Sequence, residues 1–199
     1  MNWSSNIIKI EKYLQSLSAS HGEAINIPSD EAFGIWTDLT IRVRELKNTV
    51  FLIGNGASAS MASHVSADLA KNAHIHTEVF FDLSLITAIA NDTSYEEVFV
   101  EPLRRRMKVG DMLVAISSSG RSSNVLRAAR EAKDLGGFVV TLSAMGPENP
   151  LRALGDLNIY VPAETYGLAE TCHAAILHYW IDQMVDQMNG SEERKNENE

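Results

Sequence analysis

Residues 50–60 read VFLIGNGASAS, and this stretch decides the fold. The apolar run 50–53 has the length of a buried strand, and Gly54 and Gly56 allow the backbone to turn sharply directly after it. The spacing of apolar residues then predicts a helix over 58–72. A strand, a glycine turn and a helix in this order form one β-turn-α unit.

The same pattern returns further along the chain. Residues 111–117 (DMLVAIS) predict a strand, which is followed by a turn at 118–120 and a helix over 122–135. Two further apolar runs predict two more strands, at 137–143 (GFVVTLS) and 157–161 (LNIYV). Near-continuous apolar strands separated by helices are typical of a parallel sheet covered on both faces. The sequence therefore predicts an α/β fold, a doubly wound, flavodoxin-like three-layer sandwich that gathers ligands at the carboxyl ends of its strands.

Helices are predicted on both sides of this core in the sequence. Residues 2–19 and 29–47 are interpreted as an N-terminal helix pair, with turn residues over 20–28 between them. A long helix is predicted over 168–188, and its apolar residues form a stripe that something must cover. The stripe consists of Ala169, Cys172, Ala175, Ile176, Trp180, Ile181 and Met184.

These elements predict a single domain over 1–188. It comprises N-terminal helices within 1–48, the α/β core over 50–162 and the long C-terminal helix. The closing residues 189–199 (NGSEERKNENE) carry no apolar side chain that could join a core, so we expect a disordered tail there.

The bulk composition narrows the choice of partners. The net charge of −9 argues against nucleic acid, because such binding depends on clustered Lys and Arg. The arginines at 104–106 follow Glu96, Glu97 and Glu101, which favours a solvated helix face. The single cysteine, Cys172, cannot form an intrachain disulfide and is interpreted as a buried helix residue.

Neither a secretion signal nor a membrane span is indicated. Residues 1–20 lack the basic start and apolar block of a signal peptide, and no stretch approaches the roughly 18 apolar residues of a span. We therefore expect a cytoplasmic protein without a membrane partner.

Two turns carry signals for phosphate binding. The glycine turn leads into a helix that starts near Ser58, so free amides, the helix dipole and a hydroxyl could meet an anion there. The second strand ends in a hydroxyl-rich turn that also opens a helix, with serines at Ser117, Ser118, Ser119 and Ser122. A tight turn without a ligand and a plain serine N-cap are the alternatives. Donors without Lys or Arg suit a phosphate monoester on a small sugar.

The three segments LIGNGASAS, AIANDTSYEEVF and GDMLVAISSSGRSSNVLRA occur in an order and spacing that resemble the sugar isomerase (SIS) domain family, in its phosphoheptose isomerase branch. The resemblance covers residues 2–188, including the leading helices and the C-terminal helix. It implies that Gly56, Ser58 and the serine turn hold the sugar phosphate, and that Asn55 and Asp92 contact the sugar hydroxyls. It also implies a homotetramer with active sites between subunits.

Ionisable side chains on two helices are candidates for the chemistry. His64 and Asp68 lie four residues apart, so they share one helix face, and Glu170, His173 and His178 are candidates for the opposite wall. Aldose–ketose isomerisation needs a base at carbon and an acid at oxygen. The resemblance implies that Asp68 is the base and His178 the acid. It further implies one Zn²⁺ held by His64, Asp68, Glu170 and His178, a donor set that suits this ion.

The chain departs from the family pattern at several of these positions. The family glutamate is Asp68 here, the family glutamine is Glu170, and Glu170 could therefore serve as the base or as an anionic metal ligand. Lys71 and Asn72 stand where an arginine is expected, and Gly167 replaces an aspartate. Glu170 and His178 are eight residues apart, about 12 Å along a helix, so joint ligation requires converging side chains or a second subunit.

The resemblance implies conversion of sedoheptulose 7-phosphate to D-glycero-D-manno-heptose 7-phosphate. Isomerisation of a related sugar phosphate is one alternative. A non-catalytic SIS domain that binds a phosphosugar or another protein is a second, and the joint presence of His64, Asp68 and His178 argues against it.

Overall fold

The computed structural model describes residues 2–196, and their side chains except those of Ala24 and residues 191–196. The helices are α1 Trp3–Gln15, α2 Ser29–Glu45, α3 Ala57–Asn72, α4 Leu83–Asp92, α5 Val100–Arg106, α6 Ser123–Asp134 and α7 Tyr166–Asn196. The strands are β1 Ser18–His21, β2 Ala24–Ile27, β3 Thr49–Gly54, β4 His76–Val79, β5 Met112–Ser117, β6 Phe138–Ala144 and β7 Leu157–Val161. Short 3-10 turns lie at Tyr95–Glu97 and Pro150–Ala153.

One seven-stranded sheet has the order β2-β1-β7-β6-β5-β3-β4. Strands β3 to β7 pair in parallel, which confirms the predicted α/β architecture, while β1 pairs antiparallel with both β2 and β7. The sheet is therefore mixed, with an antiparallel hairpin added to one edge of the parallel core.

That hairpin corrects the prediction that residues 20–28 form only a turn between two helices. The chain reverses at Gly22, which has a φ of 56°, and β1 then pairs with β7 from Ser18 opposite Tyr160 to His21 opposite Leu157. Each hairpin strand has four residues. Strands this short leave almost no periodic signal, and their pairing partner is distant in sequence, so local pattern could not find them.

The sheet is covered on both faces because side chains alternate along its strands. Val50 and Leu52 face one core together with α2, α3 and α7, whereas Phe51 and Ile53 face a second core together with α5 and α6. In the first core, the Trp36 and Trp180 rings stack with centroids 4.1 Å apart. The predicted three layers are therefore present.

The apolar stripe of α7 is covered within the chain. Six of its seven predicted members are buried in the first core, and Ala175 alone among them is exposed. The stripe therefore gives no argument for a partner subunit, because α2, α3 and the sheet already pack against it.

Helix α7 continues to Asn196, so the prediction of a disordered tail is wrong for residues 189–196. Adding residues to an existing helix is far easier than nucleating one, and the segment EERK consists of good helix formers. Residues 197–199 of the predicted tail lie outside the described part of the chain. Within that part, no helix is both long enough and apolar enough to cross a membrane.

Candidate active site

The site lies where the direction of chain crossover reverses. From β3 the chain passes to β4 on one side and then returns to β5 on the other, so β3 lies between them. Gly54 at the end of β3 pairs with Ile116 near the end of β5. The glycine turn and the serine turn therefore lie side by side at a topological switch point, where open α/β sheets bind ligands.

A pocket of about 270 Å³, which we call the serine pocket, opens between these two turns. Helices α3 and α6 begin at it, and α7 contributes Tyr166 and Glu170 from its first turns. Three helix N-termini therefore point their positive dipole ends toward one space, an arrangement that favours an anion. The lining consists of Asn55, Gly56, Ala57, Ser58, Ile116, Ser117, Ser118, Ser119, Ser122, Tyr166 and Glu170.

The glycines allow α3 to start against the sheet. A Cβ on Gly54 would lie 2.6 Å from Ser58 Cβ and 3.0 Å from the Ile116 carbonyl oxygen, so only glycine permits this approach. Gly56 has a φ of 58°, a left-handed conformation that glycine adopts without strain. The turn thus brings α3 close enough for Ser58 to line the pocket.

The serine turn presents hydroxyls to the same pocket. Ser117 Oγ donates to Ser122 Oγ at 3.3 Å, and Ser119 Oγ accepts from the Arg121 amide at 3.3 Å. Ser118 Oγ is buried and makes no hydrogen bond to any described residue. An unpaired buried hydroxyl costs free energy unless a ligand completes it, so Ser118 indicates a binding role.

A second cluster forms where α3 packs on α7. His64 Nε2 lies 3.3 Å from Asp68 Oδ2, and the His64 and His178 rings have centroids 5.2 Å apart. One potential ligand atom from each of these three residues lies within 4.8 Å of the others. Both histidines are exposed and Asp68 is partly buried, so the cluster is open on one side. We call His64, Asp68 and His178 the α3–α7 cluster.

Glu170 is not part of this cluster in the chain described. It lines the serine pocket instead. The physical reason is helix geometry, because eight residues separate it from His178 by about 12 Å along α7. A single chain therefore brings together three of the four expected ligands.

The two predicted sugar contacts have different surroundings. Asn55 lines the serine pocket, and its carboxamide pairs with that of Asn124. Asp92 is exposed at the end of α4, accepts from Asn91 Nδ2 at 2.9 Å and is not among the residues that line the serine pocket. Asn124 and Tyr166 were missed by the sequence analysis, although Asn124 lies directly after the quoted serine turn.

The remaining candidates, Cys172 and His173, are buried on the inner face of α7. Burial raises the pKa of the Cys172 thiol, which supports its interpretation as a packing residue. Burial also lowers the pKa of His173 to about 4, and a hydrogen bond from its ring nitrogen to the Ser143 carbonyl oxygen, at 3.2 Å, offsets only part of this effect. His173 is therefore neutral and helps to hold the end of β6.

We expect His173 to make the fold acid-sensitive. The unfolded chain takes up a proton here near pH 6.5 and the folded chain only near 4, so the free energy of unfolding falls as the pH drops through that window. The slope from this one group is about 1 kcal/mol per pH unit. Urea unfolding at pH 7, 6 and 5 measures it. In His173→Gln, which keeps a donor without a titratable group, the slope should be smaller by that amount, and equal slopes would contradict this account.

The fold and the paired turns define a class of protein, the SIS domains. The SIS domain profile matches residues 13–144. A phosphoheptose isomerase from Helicobacter pylori (strain Shi470) is 33% identical over 180 residues, which cover 87% of this chain and 86% of the relative. The chain belongs to the SIS-domain family, in its phosphoheptose isomerase branch.

Solved structures of this branch share the fold. Phosphoheptose isomerase GmhA from Neisseria gonorrhoeae superposes with a TM-score of 0.78 at 24% identity, over 91% of this chain and 96% of the other. A phosphoheptose isomerase from Francisella tularensis gives a TM-score of 0.78 at 23% identity, over 94% of this chain and 100% of the other. The mixed sheet and its helical layers are thus those of the branch.

Proposed function

We propose that the chain is an aldose–ketose isomerase that converts sedoheptulose 7-phosphate to D-glycero-D-manno-heptose 7-phosphate. The observation that carries this proposal is an anion pocket joined by two helices to an acid–base cluster. Phosphoheptose isomerase is also the name of the relative that is 33% identical over most of the chain.

The spacing of the two sites suits an extended sugar phosphate. Ser58 lies six residues before His64 and ten before Asp68 on α3, which places the cluster about 9 to 15 Å along the helix from the pocket. Helix α7 leads in the same direction, from Tyr166 at the pocket to His178 at the cluster. An extended seven-carbon chain places its first carbon about 10 Å from the phosphorus at ordinary bond lengths. A phosphate in the pocket therefore leaves the carbonyl end within reach of the cluster.

The phosphate is held without a side-chain cation. Among the described residues that line the pocket there is no Lys or Arg. Helix N-termini and hydroxyl donors supply the attraction, and because these donors are fixed by the two turns they need little reorganisation when an anion binds.

The α3–α7 cluster provides the acid and the base. Asp68 takes the proton from the first carbon of the ketose while His178 donates a proton to the oxygen on the second carbon, which gives an enediol. Asp68 then gives its proton to the second carbon while His178 takes the proton of the first hydroxyl, which gives the aldose and restores both groups. The reacting carbons are adjacent, so an acid and a base within 4.8 Å of each other can flank them. Glu170, which lines the serine pocket, is the alternative base that the sequence leaves open.

The same cluster fits a catalytic zinc ion. Two imidazoles and one carboxylate, with an open side, match sites that hold Zn²⁺ by three protein ligands and leave a position for substrate. We propose that His64, Asp68 and His178 hold one Zn²⁺ per chain, with Glu170 contributing only if it comes from another subunit. When bound, the ion would polarise the substrate carbonyl and stabilise negative charge on its oxygen, in place of the proton from His178, because a histidine that ligates a metal is neutral.

An assay of the purified chain with sedoheptulose 7-phosphate tests the function. Heptose phosphate formation is followed by NMR, with added Zn²⁺, without it and after chelation. Turnover that chelation abolishes and zinc restores would support both the isomerase activity and the proposed zinc site. Turnover that is insensitive to chelation would support the activity and contradict the zinc site. No turnover, with the sugar phosphate still bound, would favour another substrate or a non-catalytic binding domain.

Ser118→Ala is expected to weaken substrate binding without lowering the stability of the protein. It should raise the KM for the sugar phosphate about 10-fold, because a hydrogen bond to a charged group is lost. It should not destabilise the free protein, because the hydroxyl is buried without a partner among the described residues. Steady-state kinetics and thermal unfolding measure the two effects.

Ser66→Ala is the matched control for this prediction. Ser66 Oγ donates to Thr77 Oγ1 at 2.9 Å, away from the pocket, so its loss should cost about 1 kcal/mol of stability and leave KM unchanged. A Ser118 variant that behaves in this way would make Ser118 a structural residue.

The homotetramer that the family resemblance implies is part of the proposal. Its support in this chain is the open side of the α3–α7 cluster, where a partner subunit could contribute. Light scattering of the purified chain gives its mass, and a monomer would reject this part.

A further inference from the structure

The carboxamides of Asn55, which lines the serine pocket, and Asn124, which is buried behind it, form a reciprocal pair. Asn55 Nδ2 donates to Asn124 Oδ1 at 2.9 Å, and Asn124 Nδ2 donates to Asn55 Oδ1 at 2.9 Å. Tyr95 adds a third contact, its hydroxyl donating to Asn55 Oδ1 at 3.1 Å. Asn55 at the glycine turn is thus tied to α6 and to the turn Tyr95–Glu97.

A backbone amide fixes the orientation of both carboxamides, that is, which end of each is the oxygen and which the nitrogen. The Val125 N–H can only donate, and it donates to Asn124 Oδ1 at 3.0 Å. This fixes the Asn124 oxygen, so the Asn55 nitrogen must face that oxygen and the Asn55 oxygen must face the Asn124 nitrogen. The first turn of α6 therefore sets the polarity of the Asn55 amide.

Hydrogen-bond capacity then limits what Asn55 can offer a ligand. Its oxygen already accepts from two donors, and one of its two N–H groups is used by Asn124. The other N–H has no hydrogen-bond partner among the described residues. Asn55 is thus left with a donor and no spare acceptor.

The Tyr95 segment is itself held by α6. Arg127, one turn after Asn124, forms an ion pair with Glu97 and lies 3.3 Å from Glu96. Glu97 is buried, so its pair with Arg127 is shielded from water more than an exposed pair would be. One helix therefore places both groups that contact the Asn55 carboxamide.

We propose that Asn124 and Tyr95 are positioning residues, which hold the Asn55 amide so that its free N–H donates to an oxygen of the bound sugar phosphate. This inference rests on the proposed function. It assigns Asn55 the role of donor and gives roles to two residues that do not need to touch the substrate.

A double-mutant cycle tests the coupling. Asn124→Ala should lower kcat/KM about 10-fold in the native background and change it less than about 2-fold in an Asn55→Ala background, because it acts through Asn55. Tyr95→Phe should follow the same pattern with a smaller loss, about 3-fold, since it removes one hydrogen bond. The Tyr95 side chain is 55% exposed, so this variant keeps the test available if Asn124→Ala does not fold. Equal losses in both backgrounds would overturn the proposal.

A control variant and a measurement that does not depend on enzymatic activity complete the experiment. Asn6→Ala, on α1, makes the same substitution in another helix and should leave kcat/KM within about 2-fold. In the free protein, the Asn55 side-chain amide signals, identified by their absence in Asn55→Ala, should shift in Asn124→Ala and Tyr95→Phe. Unchanged signals would overturn the proposal even in a chain without isomerase activity, whereas absent turnover alone would contradict only the proposed function.

Discussion

Asp68→Asn is expected to lower kcat for isomerisation at least about 100-fold while the fold stays intact. The amide has almost the same size as the carboxylate but cannot take a proton from carbon at neutral pH. It also removes the anionic member of the proposed metal site. Asp68 is partly exposed, and the side chain that it contacts, His64, is exposed, so little stability depends on this contact.

Steady-state kinetics with sedoheptulose 7-phosphate measure this effect. The KM should change less than about 3-fold, because the phosphate is held about 15 Å away along α3. His178→Ala should give a loss of kcat of similar size, since it removes the acid. Circular dichroism verifies that both variants are folded.

Asp38→Asn is the matched control. Asp38 is exposed on α2, so the same chemical change there should leave kcat unaltered. Near-normal turnover in both Asp68→Asn and His178→Ala would remove the cluster from the mechanism. A loss in Glu170→Gln alone would transfer the role of base to Glu170.

Gly120→Ala is expected to lower the free energy of unfolding by at least about 3 kcal/mol. Gly120 has a φ of 61°, and a Cβ there would overlap the Asn149 side chain. Asn149 is buried and cannot move aside freely, because its Nδ2 donates to Ser143 Oγ at 3.2 Å and to the Gly146 carbonyl at 2.9 Å. The melting temperature should fall by roughly 10 °C for a chain of this size.

Gly22→Ala separates the two causes of this loss. Gly22 has a φ of 56°, but a Cβ there would meet nothing within 4 Å. Its substitution should cost only about 1 kcal/mol, the strain of the left-handed backbone alone. Thermal and urea unfolding compare the variants. Equal costs would show that the overlap with Asn149 is relieved without penalty.

Much of the site was predictable because its parts are local in sequence. The glycine turn, the serine turn and the pair His64 and Asp68 each need only a few neighbouring residues to be recognised. The structure places the predicted serines in one pocket, and two of the three candidate histidines, His64 and His178, in one cluster. It leaves Asp92 apart from both, since its position depends on how α4 packs.

Asn124 illustrates what local pattern could not supply. Its side chain points to Asn55, which is 69 residues away in sequence. A serine-rich turn followed by asparagine reads equally well as a helix start that contacts only solvent. Only the neighbouring ends of β3 and β5 make the two asparagines a pair.

The sequence by itself determined the parallel α/β core, the two ligand-binding turns and the face that His64 shares with Asp68. These features follow from periodicity, from glycine's conformational freedom and from helix spacing, all of which act over a few residues. The tertiary structure alone decided that a hairpin extends the sheet, that the α7 stripe is covered within the chain and that Glu170 on α7 lies beside the serine turn. Each of these depends on the packing of segments far apart in the chain, which no local pattern encodes.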